Sequence, residues 1–319
     1  MKDHPTRRDF LAASAAVGAA MLVPGRLPAA QWKTTLHKSL IGSPNRETLE
    51  SWRAAGFEGI ESNGRGASPE EAAAARKVAE ELGMKIHSVL YGWANVNNED
   101  AFAGDIARVE TALRACEGYG AGALLLVTCR IGGMPTPEPW DFDIEFDEKT
   151  GHLKQVVAGD NAPYEAYIKA HDHAVDASRK AVEKLIPTAE KTGVIIALEN
   201  VWNNLWVKPE IFRHFIASFE SPWVQCYFDI GNHVKYAMPE EWIRTLGKLI
   251  VECHVKDFRL NDDGHGGGFC NIRDGSIDWP LVRKELDKIG YNGWMTIEGS
   301  GGLSLEERSK RLDLINAGE

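Results

Sequence analysis

The chain has 319 residues, of which 44% are hydrophobic and 26% charged, and its formal net charge is −10. This length suits one large domain. An acidic chain without a basic stripe argues against nucleic acid or an anionic membrane as a partner. The five cysteines are odd in number and form no Cys-x-x-Cys pair, so we expect no disulfide framework.

The first thirty residues have the pattern of an export signal. Arg7 and Arg8 precede an uncharged, alanine-rich stretch at 11–23, and small residues follow at Ala29 and Ala30. An amphipathic helix, the alternative, would need charges on one face of that stretch. We predict a twin-arginine signal over 1–30 and a domain over 31–319, exported to the periplasm or elsewhere outside the cytoplasm. Removing the signal changes the formal charge from −10 to −12, and we expect no membrane contact in the mature form.

Apolar runs alternate with helical patterns through the rest of the chain. Strands are predicted at 36–41, 57–60, 85–91, 123–129, 194–199, 224–229, 249–254 and 294–298. Helices are predicted at 45–55, 68–82, 99–116, 166–191, 209–219, 239–247, 279–289 and 304–315. Ser68, Pro69 and Glu71 form the capping box of the second helix.

This alternation predicts the fold. It implies parallel strands joined by right-handed crossovers, and eight such units in one domain predict an α/β fold, a closed (β/α)8 TIM barrel. An open doubly wound sheet is the alternative. That sheet would need a glycine-rich phosphate loop after an early strand, and Gly64-Arg65-Gly66 is too weak a pattern for one.

Two segments interrupt the alternation. In the first, at 130–163, an alternating stretch at 142–146, a turn at 147–151 and a second stretch at 152–157 predict a β-hairpin inserted after the fourth strand. At this end of a barrel the insertion either lines or covers the site or is a surface ornament. The second, the glycine-rich segment 262–268, is predicted to be a flexible loop that acts as a lid or as a linker.

Polar side chains end the last four predicted strands. These are Glu199, Asp229, His254 and Glu298, each following an apolar run. Because the carboxyl ends of all barrel strands open on one face, the four side chains can converge there. Three carboxylates and one imidazole suit one divalent ion, Mn²⁺ or Mg²⁺ first, with Co²⁺ or Zn²⁺ as alternatives. Separate strand-end ion pairs are the competing interpretation.

Other polar and aromatic residues are predicted near the same mouth. Glu61, His87, Lys256 and Asp257 should face it, where they could bind substrate hydroxyls or orient the ligands. For His87 a satisfied core histidine is an equal alternative. Three tryptophans in or near the mouth loops could stack on a sugar ring or simply pack: Trp93, Trp202 and Trp206.

The segments that carry these residues resemble a known superfamily. They read Ala-Leu-Glu199-Asn200, Tyr-Phe-Asp229-Ile-Gly-Asn232-His233, Cys-His254-Val-Lys256-Asp257 and Thr-Ile-Glu298-Gly. Over residues 36–300 the chain resembles the xylose-isomerase-like sugar isomerases and epimerases. The resemblance implies that the four strand-end residues hold the metal, and that Glu199 and Glu298 double as acid and base.

The resemblance also suggests substrate-binding residues. Epimerases of this superfamily place a histidine three residues after the aspartate and an arginine six residues after the metal histidine. Here those positions are Asn232 and Leu260, with His233 and Arg259 one residue away. Asn232, His233 and Arg259 are therefore candidates for substrate binding.

The expected partner is a small carbohydrate, and a homo-oligomer is left open. A metal that chelates a carbonyl and a neighbouring hydroxyl acidifies the C–H between them, and a carboxylate can then remove the proton. The resulting enediolate leads to epimerisation or isomerisation of a keto-sugar. Elimination from a 3-keto-glycoside or an inosose is the second reading. A carbohydrate-binding protein that has lost catalysis is the third.

Overall fold

Eight parallel strands close into a barrel in the computed structural model of the protein, which describes residues 32–319. The predicted export signal lies outside these residues. In chain order the strands are β1 (His37–Gly42), β2 (Gly59–Ser62), β3 (Lys85–Trp93), β4 (Ala123–Val127), β5 (Glu145–Phe146), β6 (Leu153–Gln155), β7 (Ile195–Glu199), β8 (Val224–Asp229), β9 (Ile250–Val255), β10 (Asp257–Leu260), β11 (Gly267–Cys270) and β12 (Trp294–Ile297). The barrel order is β1-β2-β3-β4-β7-β8-β9-β12, closing on β1.

Helices connect the barrel strands, as the alternation predicts. They are α1 (Arg46–Ala54), α2 (Pro69–Glu81), α3 (Glu99–Tyr119), α4 (Glu165–Thr192), α5 (Pro209–Ala217), α6 (Pro239–Leu246), α7 (Trp279–Ile289) and α8 (Leu305–Ala317). The predicted capping box of α2 is confirmed, because Ser68 and Glu71 each accept the other's backbone N–H. The predicted (β/α)8 barrel is therefore confirmed.

Burial divides the barrel wall into two faces. Outward side chains of the strands pack with the helices in one large apolar core. Inward side chains of β4, β7 and β8 form a smaller apolar cluster that includes Leu125, Ala197 and Tyr227. Strand register then sets the height of the polar inward residues, since Asp229 lies beside His254 and His254 beside Thr296.

Two β-hairpins lie outside the barrel. The hairpin predicted after the fourth strand is confirmed as β5 paired antiparallel with β6. The prediction of a flexible loop at 262–268 needs correction, because β10 and β11 pair antiparallel and this segment contains the turn and the start of β11. The sequence does not predict this strand, because its glycines have no side chains to give the alternating pattern of a strand.

Two further findings concern residues 32–319. The five cysteines are free, and four of them are buried. No helix in this range combines the length and apolar character needed to cross a membrane.

Candidate metal centre

Four side chains at the carboxyl ends of neighbouring strands converge at the open end of the barrel. Glu199 ends β7, Asp229 ends β8, His254 lies near the end of β9, and Glu298 follows β12. Each offers one ligand atom, and these atoms all lie within 4.8 Å of one another. His254 Nδ1 lies 3.0 Å from Glu298 Oε2, 3.4 Å from Glu199 Oε1 and 4.0 Å from Asp229 Oδ2. The structure therefore brings together the four strand-end residues.

Backbone contacts fix the orientation of Asp229. Its Oδ1 accepts the backbone N–H groups of Gly231 and Asn232, at 2.8 and 2.7 Å. Asn200 clamps its peptide from the neighbouring strand, accepting Asp229 N–H at 2.7 Å and donating to Asp229 C=O at 2.8 Å. These bonds occupy one carboxylate oxygen and leave Oδ2 directed at the centre.

Glu61 contacts the imidazole of His254 from the barrel interior. Glu61 Oε2 lies 2.6 Å from His254 Nε2, and both side chains are buried. This contact fixes Nε2 as the proton-bearing nitrogen and turns Nδ1 towards the carboxylates, as partners of metal-ligating histidines do. Glu61 is thus placed to orient a ligand and does not reach the open mouth.

Lys256 brings a positive charge into the centre. Its Nζ lies 2.9 Å from Glu298 Oε2, 3.2 Å from Asp229 Oδ2 and 3.0 Å from Asn232 Oδ1. Although burial lowers the pKa of Lys256, Asp229, Glu298 and Glu199 outweigh that effect and raise it, so the ammonium stays charged. The three carboxylates and this ammonium together leave two negative charges.

Burial and neighbouring charges shift the pKa values of Glu199 and Glu298 in opposite directions. Burial raises the pKa of Glu199 to about 7. Burial would also raise the pKa of Glu298, but His254 and Lys256 outweigh it and lower that pKa. The pKa of His254 is raised well above its ordinary value, because Glu61 and the centre's carboxylates outweigh burial. A ligating imidazole must be neutral, so a proton and a metal ion compete for Nδ1.

The residues present fit a divalent ion. Asp229 Oδ2, His254 Nδ1 and Glu298 Oε2 are buried and accept or donate no well-directed hydrogen bond within residues 32–319. Lys256 pairs with the two carboxylate oxygens by charge alone, so one bound ion would serve as a common partner for all three atoms. Ligands about 2.1 Å from one ion lie about 3 to 3.4 Å apart when adjacent, close to the spacings around His254. One divalent charge would neutralise the site.

Asn232, and not His233, faces the centre. Asn232 Nδ2 donates to Asn200 C=O at 3.1 Å and lies 3.5 Å from Glu199 Oε1, and its Oδ1 accepts from Lys256. His233 is buried on the other side of the strand end, where its ring lies 4.8 Å from that of Trp242 on α6. Burial lowers the pKa of His233 to about 3. The substrate-binding role predicted for His233 therefore needs correction.

Asp257 also points away from the mouth. Its carboxylate accepts the backbone N–H groups of Phe258, Arg273 and Gly275 and the indole N–H of Trp279. Four donors saturate the buried side chain, so it anchors the loop before α7. Its predicted placement at the mouth needs correction. Side chains alternate along a strand, so His254 and Lys256 face inward while Asp257 faces outward.

His87 belongs to the closed end of the barrel. Its Nε2 lies 2.8 Å from Ser39 Oγ and 3.2 Å from Thr296 Oγ1, and its ring stacks 4.6 Å from Trp294, the first residue of β12. Glu252 Oε2 lies 3.3 Å from its Nδ1. Burial lowers the pKa of His87 to about 3, so the imidazole is neutral. His87 is a buried core histidine whose Nε2 is hydrogen-bonded and whose Nδ1 has no well-directed hydrogen bond within residues 32–319, and its predicted place at the mouth needs correction.

A cavity of about 560 Å³ opens beside the centre. Lys256 and Glu298 lie on its inner side. Arg259 lines its outer part and donates through its guanidinium to the backbone oxygen of Asp274. Its other lining residues come from the β10–β11 hairpin, or ribbon, and from two loops that follow it in the chain: Phe269, Cys270, Asn271, Asp274, Gly299, Ser300 and Gly301. Arg259 is therefore placed where it can meet a substrate in this cavity.

Some residues of the site had no role in the sequence-based prediction. Asn200 stood in a quoted motif, but its clamp on Asp229 depends on strand pairing that one sequence does not show. Phe269 directly follows the glycine-rich segment 262–268 and carried no signal. Of the three tryptophans, Trp206 packs against α5, whereas Trp202 stacks on Phe269 at the mouth.

A (β/α)8 barrel with metal-ligand side chains at the carboxyl ends of its strands defines the class of protein. A family model described as a xylose isomerase-like TIM barrel matches residues 49–313, and the chain belongs to this family. A model of the twin-arginine translocation signal sequence matches residues 4–24, which indicates export by the twin-arginine route. An uncharacterized protein of Methanocaldococcus jannaschii is 28% identical over 130 residues, and the match spans 39% of this chain and 43% of that protein.

Several solved structures have a similar fold. A 3-keto-D-glucoside 4-epimerase from E. coli has 13% identity and a TM-score of 0.63, covering 88% of this chain and 98% of that one. A mannonate dehydratase from Streptococcus suis has 15% identity and a TM-score of 0.62, covering 89% and 94%. The IolI protein with a bound zinc atom has 15% identity and a TM-score of 0.62, covering 88% and 96%. At these identities the likeness shows the fold alone.

Proposed function

We propose that the protein is a divalent-metal-dependent isomerase or epimerase that acts on a keto-sugar through an enediolate intermediate. The observation that carries the proposal is the convergence of four ligand atoms within 4.8 Å, three of them without a well-directed hydrogen bond. Mn²⁺ is the preferred ion, with Mg²⁺, Co²⁺ and Zn²⁺ as alternatives, because the ligands are three oxygens and one imidazole. The epimerase and the zinc-bound protein of similar fold support a sugar substrate and a divalent ion.

The two glutamates perform the proton transfers. A bound divalent ion would polarise a carbonyl and a neighbouring hydroxyl and so acidify the C–H between them. Glu199 and Glu298 stand on β7 and β12, with β8 and β9 between them, so they approach a substrate from different sides. One carboxylate removes the proton and the other supplies one. Return from the opposite face gives epimerisation, and delivery to the adjacent carbon gives isomerisation.

Lys256 and Asn232 support this chemistry. The ammonium of Lys256 is held between Asp229 and Glu298 by two ion pairs and by Asn232 Oδ1. Preorganised positive charge stabilises negative charge that develops on a substrate oxygen. Asn232 fixes the position of Lys256 and occupies the place where related epimerases carry a histidine. We therefore assign substrate contact to Lys256, Asn232 and Arg259.

Elimination from a 3-keto-glycoside or an inosose is the second candidate. The observation that favours it is the 2.9 Å distance between Lys256 Nζ and Glu298 Oε2, which places an acid beside a base. Elimination needs one group to remove a proton and another to protonate the leaving oxygen. A carbohydrate-binding protein without catalysis is the third candidate, and the complete ligand set favours an enzyme over it.

Proton exchange in D₂O tests the proposal. The protein loaded with Mn²⁺ is incubated with keto-sugars, 3-keto-glycosides and inososes, and NMR follows deuterium entry and product formation. We expect deuterium beside the carbonyl together with an epimer, an isomer or an elimination product. Asp229→Asn is the control, because it keeps the shape and the Oδ1 contacts and removes one ligand charge. If the protein binds the metal but exchanges no proton with any member of the panel, the carbohydrate-binding protein without catalysis is favoured instead.

A further inference from the structure

We propose that the cavity beside the metal centre binds a second ring joined to the keto-sugar, so that the substrate is a glycoside and not a free monosaccharide. This inference rests on the proposed function and adds a stacking subsite to it. The subsite consists of the Phe269 ring, which provides an apolar face, and of the polar groups that surround it in the cavity.

Exposed aromatic rings mark the mouth of the barrel. Within residues 32–319 the exposed large hydrophobic side chains are Trp93, Trp140 and Phe269, at 43%, 42% and 47% exposure. Trp93 ends β3, Trp140 belongs to the insertion after β4, and Phe269 lies on the ribbon after β9. All three follow the carboxyl ends of barrel strands. Of the three, Phe269 lines the cavity beside the metal centre, whereas Trp93 lies under Arg130 and Trp140 stacks on His265.

Phe269 is held rigidly although it is exposed. Its ring stacks on Trp202 with centroids 4.9 Å apart and meets the edge of Phe258 at 5.4 Å. Trp202 is itself fixed, because its indole N–H donates to Asn232 C=O and Lys235 Nζ lies 3.6 Å from its ring centroid. A preorganised ring binds a ligand at little cost in side-chain entropy.

The Phe269 ring lies close to the reacting groups. Lys256 Nζ is 5.1 Å from the ring centroid and 2.9 Å from Glu298 Oε2. Phe269 and Glu298 line the same cavity of about 560 Å³, a size within the range of sites for drug-sized ligands. A sugar at the metal centre would therefore direct its substituent along the Phe269 ring.

Polar groups surround this apolar face. Arg259 donates to Asp274 C=O, and Arg311 pairs with the Asp274 carboxylate at 2.7 Å. Asn271 and Ser300 add an amide and a hydroxyl to the cavity. An aromatic face beside hydroxyl-binding groups suits the ring of a second sugar or of an aryl group. A phosphate on the substrate would instead pair with Arg259, the cation in the outer part of the cavity, so the test must distinguish a sugar phosphate from a glycoside.

Matched ligands and matched variants test the subsite. Binding to the Mn²⁺-loaded protein is measured by calorimetry for a 3-keto-hexose and for its methyl, phenyl and glucosyl glycosides. A stacked ring gains about three- to tenfold in affinity from aromatic contact. We expect the phenyl and glucosyl compounds to bind more tightly than the methyl compound by this factor. Their relative affinities identify the ring as aryl or sugar.

Phe269→Ala should abolish the difference in affinity between the ring glycosides and the methyl glycoside, and Phe269→Tyr should restore it. Trp93→Ala is the control, because Trp93 is similarly exposed at the mouth but does not line this cavity. Equal affinities for ring and methyl glycosides in the wild type, or a gain that survives Phe269→Ala, would overturn the subsite alone. Tighter binding of a 3-keto-hexose phosphate, lost in Arg259→Ala, would replace it with a phosphate site. Failure of every sugar to bind would overturn the proposed function together with the subsite.

Discussion

The two ends of the barrel interior are both polar, yet they differ in charge. At the closed end, His87 and Glu252 are buried, and burial lowers the pKa of the first and raises that of the second. Both side chains are therefore neutral, and their facing atoms lie 3.3 Å apart. At the open end, Glu298 and Lys256 remain charged, because, against the effect of burial, their attraction lowers the pKa of the first and raises that of the second. Within residues 32–319, the cluster of side chains whose ligand atoms could hold a metal ion lies at the open end.

This difference shows what identifies a site in a polar barrel. Buried polar residues alone do not, because the closed end also has them, His87 and Glu252 among them. Charged groups whose ligand atoms gather within 4.8 Å of one another do, because burying such charges is costly unless they are paired or hold a metal ion. Glu61 lies at the boundary, where it joins the barrel interior to the metal centre through His254. Substitutions at the two ends should therefore have effects of different kinds.

The largest expected difference between the ends is in turnover. Glu199→Gln and Glu298→Gln keep the size of the side chain but cannot take up the proton. Each should lower turnover by at least about a hundredfold at saturating Mn²⁺, the scale of general acid–base catalysis. The closed-end control Glu252→Gln should keep turnover within a few fold, because it replaces an uncharged group with another. Near-normal rates in both open-end variants would end the two-carboxylate mechanism.

The next largest effect is on metal binding and concerns Glu61, which lies between the two ends. Glu61→Gln should weaken Mn²⁺ binding by about ten- to a hundredfold, because the amide holds the His254 imidazole less firmly than a carboxylate does. Calorimetric titration of the metal-free protein measures this change. The thermal stabilisation that Mn²⁺ gives should fall in parallel. An unchanged metal affinity would show that Glu61 only fills the barrel interior.

His233 lies behind the open end, where its Nδ1 is 3.3 Å from Asn200 Nδ2 and its ring contacts none of the four ligand atoms. We expect His233→Gln to lower the free energy of unfolding by about 1–3 kcal/mol, as substitutions of packed buried residues do, and to leave turnover unchanged. Denaturant unfolding and steady-state rates check the two halves of this prediction. A loss of turnover as severe as in the glutamate variants would restore a catalytic role for His233.

The pH dependence of His233→Gln has a definite sign. His233 stays neutral in the folded protein, with a pKa of about 3, whereas it gains a proton below pH 6.5 after unfolding. The wild type therefore loses stability from this group as the pH falls from 6.5 towards 3, and the variant does not. The destabilisation caused by His233→Gln should shrink over that range. A destabilisation that is constant with pH would show that the buried imidazole is not held neutral.

Strand periodicity accounts for what the sequence could and could not predict. Apolar runs gave the barrel, and strand-end polar residues gave Glu199, Asp229, His254 and Glu298. The same period of two separates Lys256, which faces inward, from Asp257, which faces outward, so that distinction was available from the sequence. Asn232 and His233 follow β8 in a turn, where no such period applies. The Phe269 ring depends on contacts between segments distant in the chain, and local sequence does not show them.

The smallest expected effect concerns Trp140, in the insertion at the outer edge of the open end. Trp140 of the insertion stacks on His265 at the tip of the β10–β11 ribbon, with centroids 4.2 Å apart, and both side chains are exposed. Trp140→Ala should therefore change the free energy of unfolding by less than about 1 kcal/mol and the melting temperature by no more than about 2 °C. If the insertion covers the site, KM should rise about threefold while kcat stays unchanged, because the contact restrains the ribbon that carries Phe269. Trp93→Ala, similarly exposed but away from this contact, is the control. Equal KM values for the wild type and Trp140→Ala would show that the insertion is a surface feature that does not cover the site. The ribbon would then be the outermost part of the site.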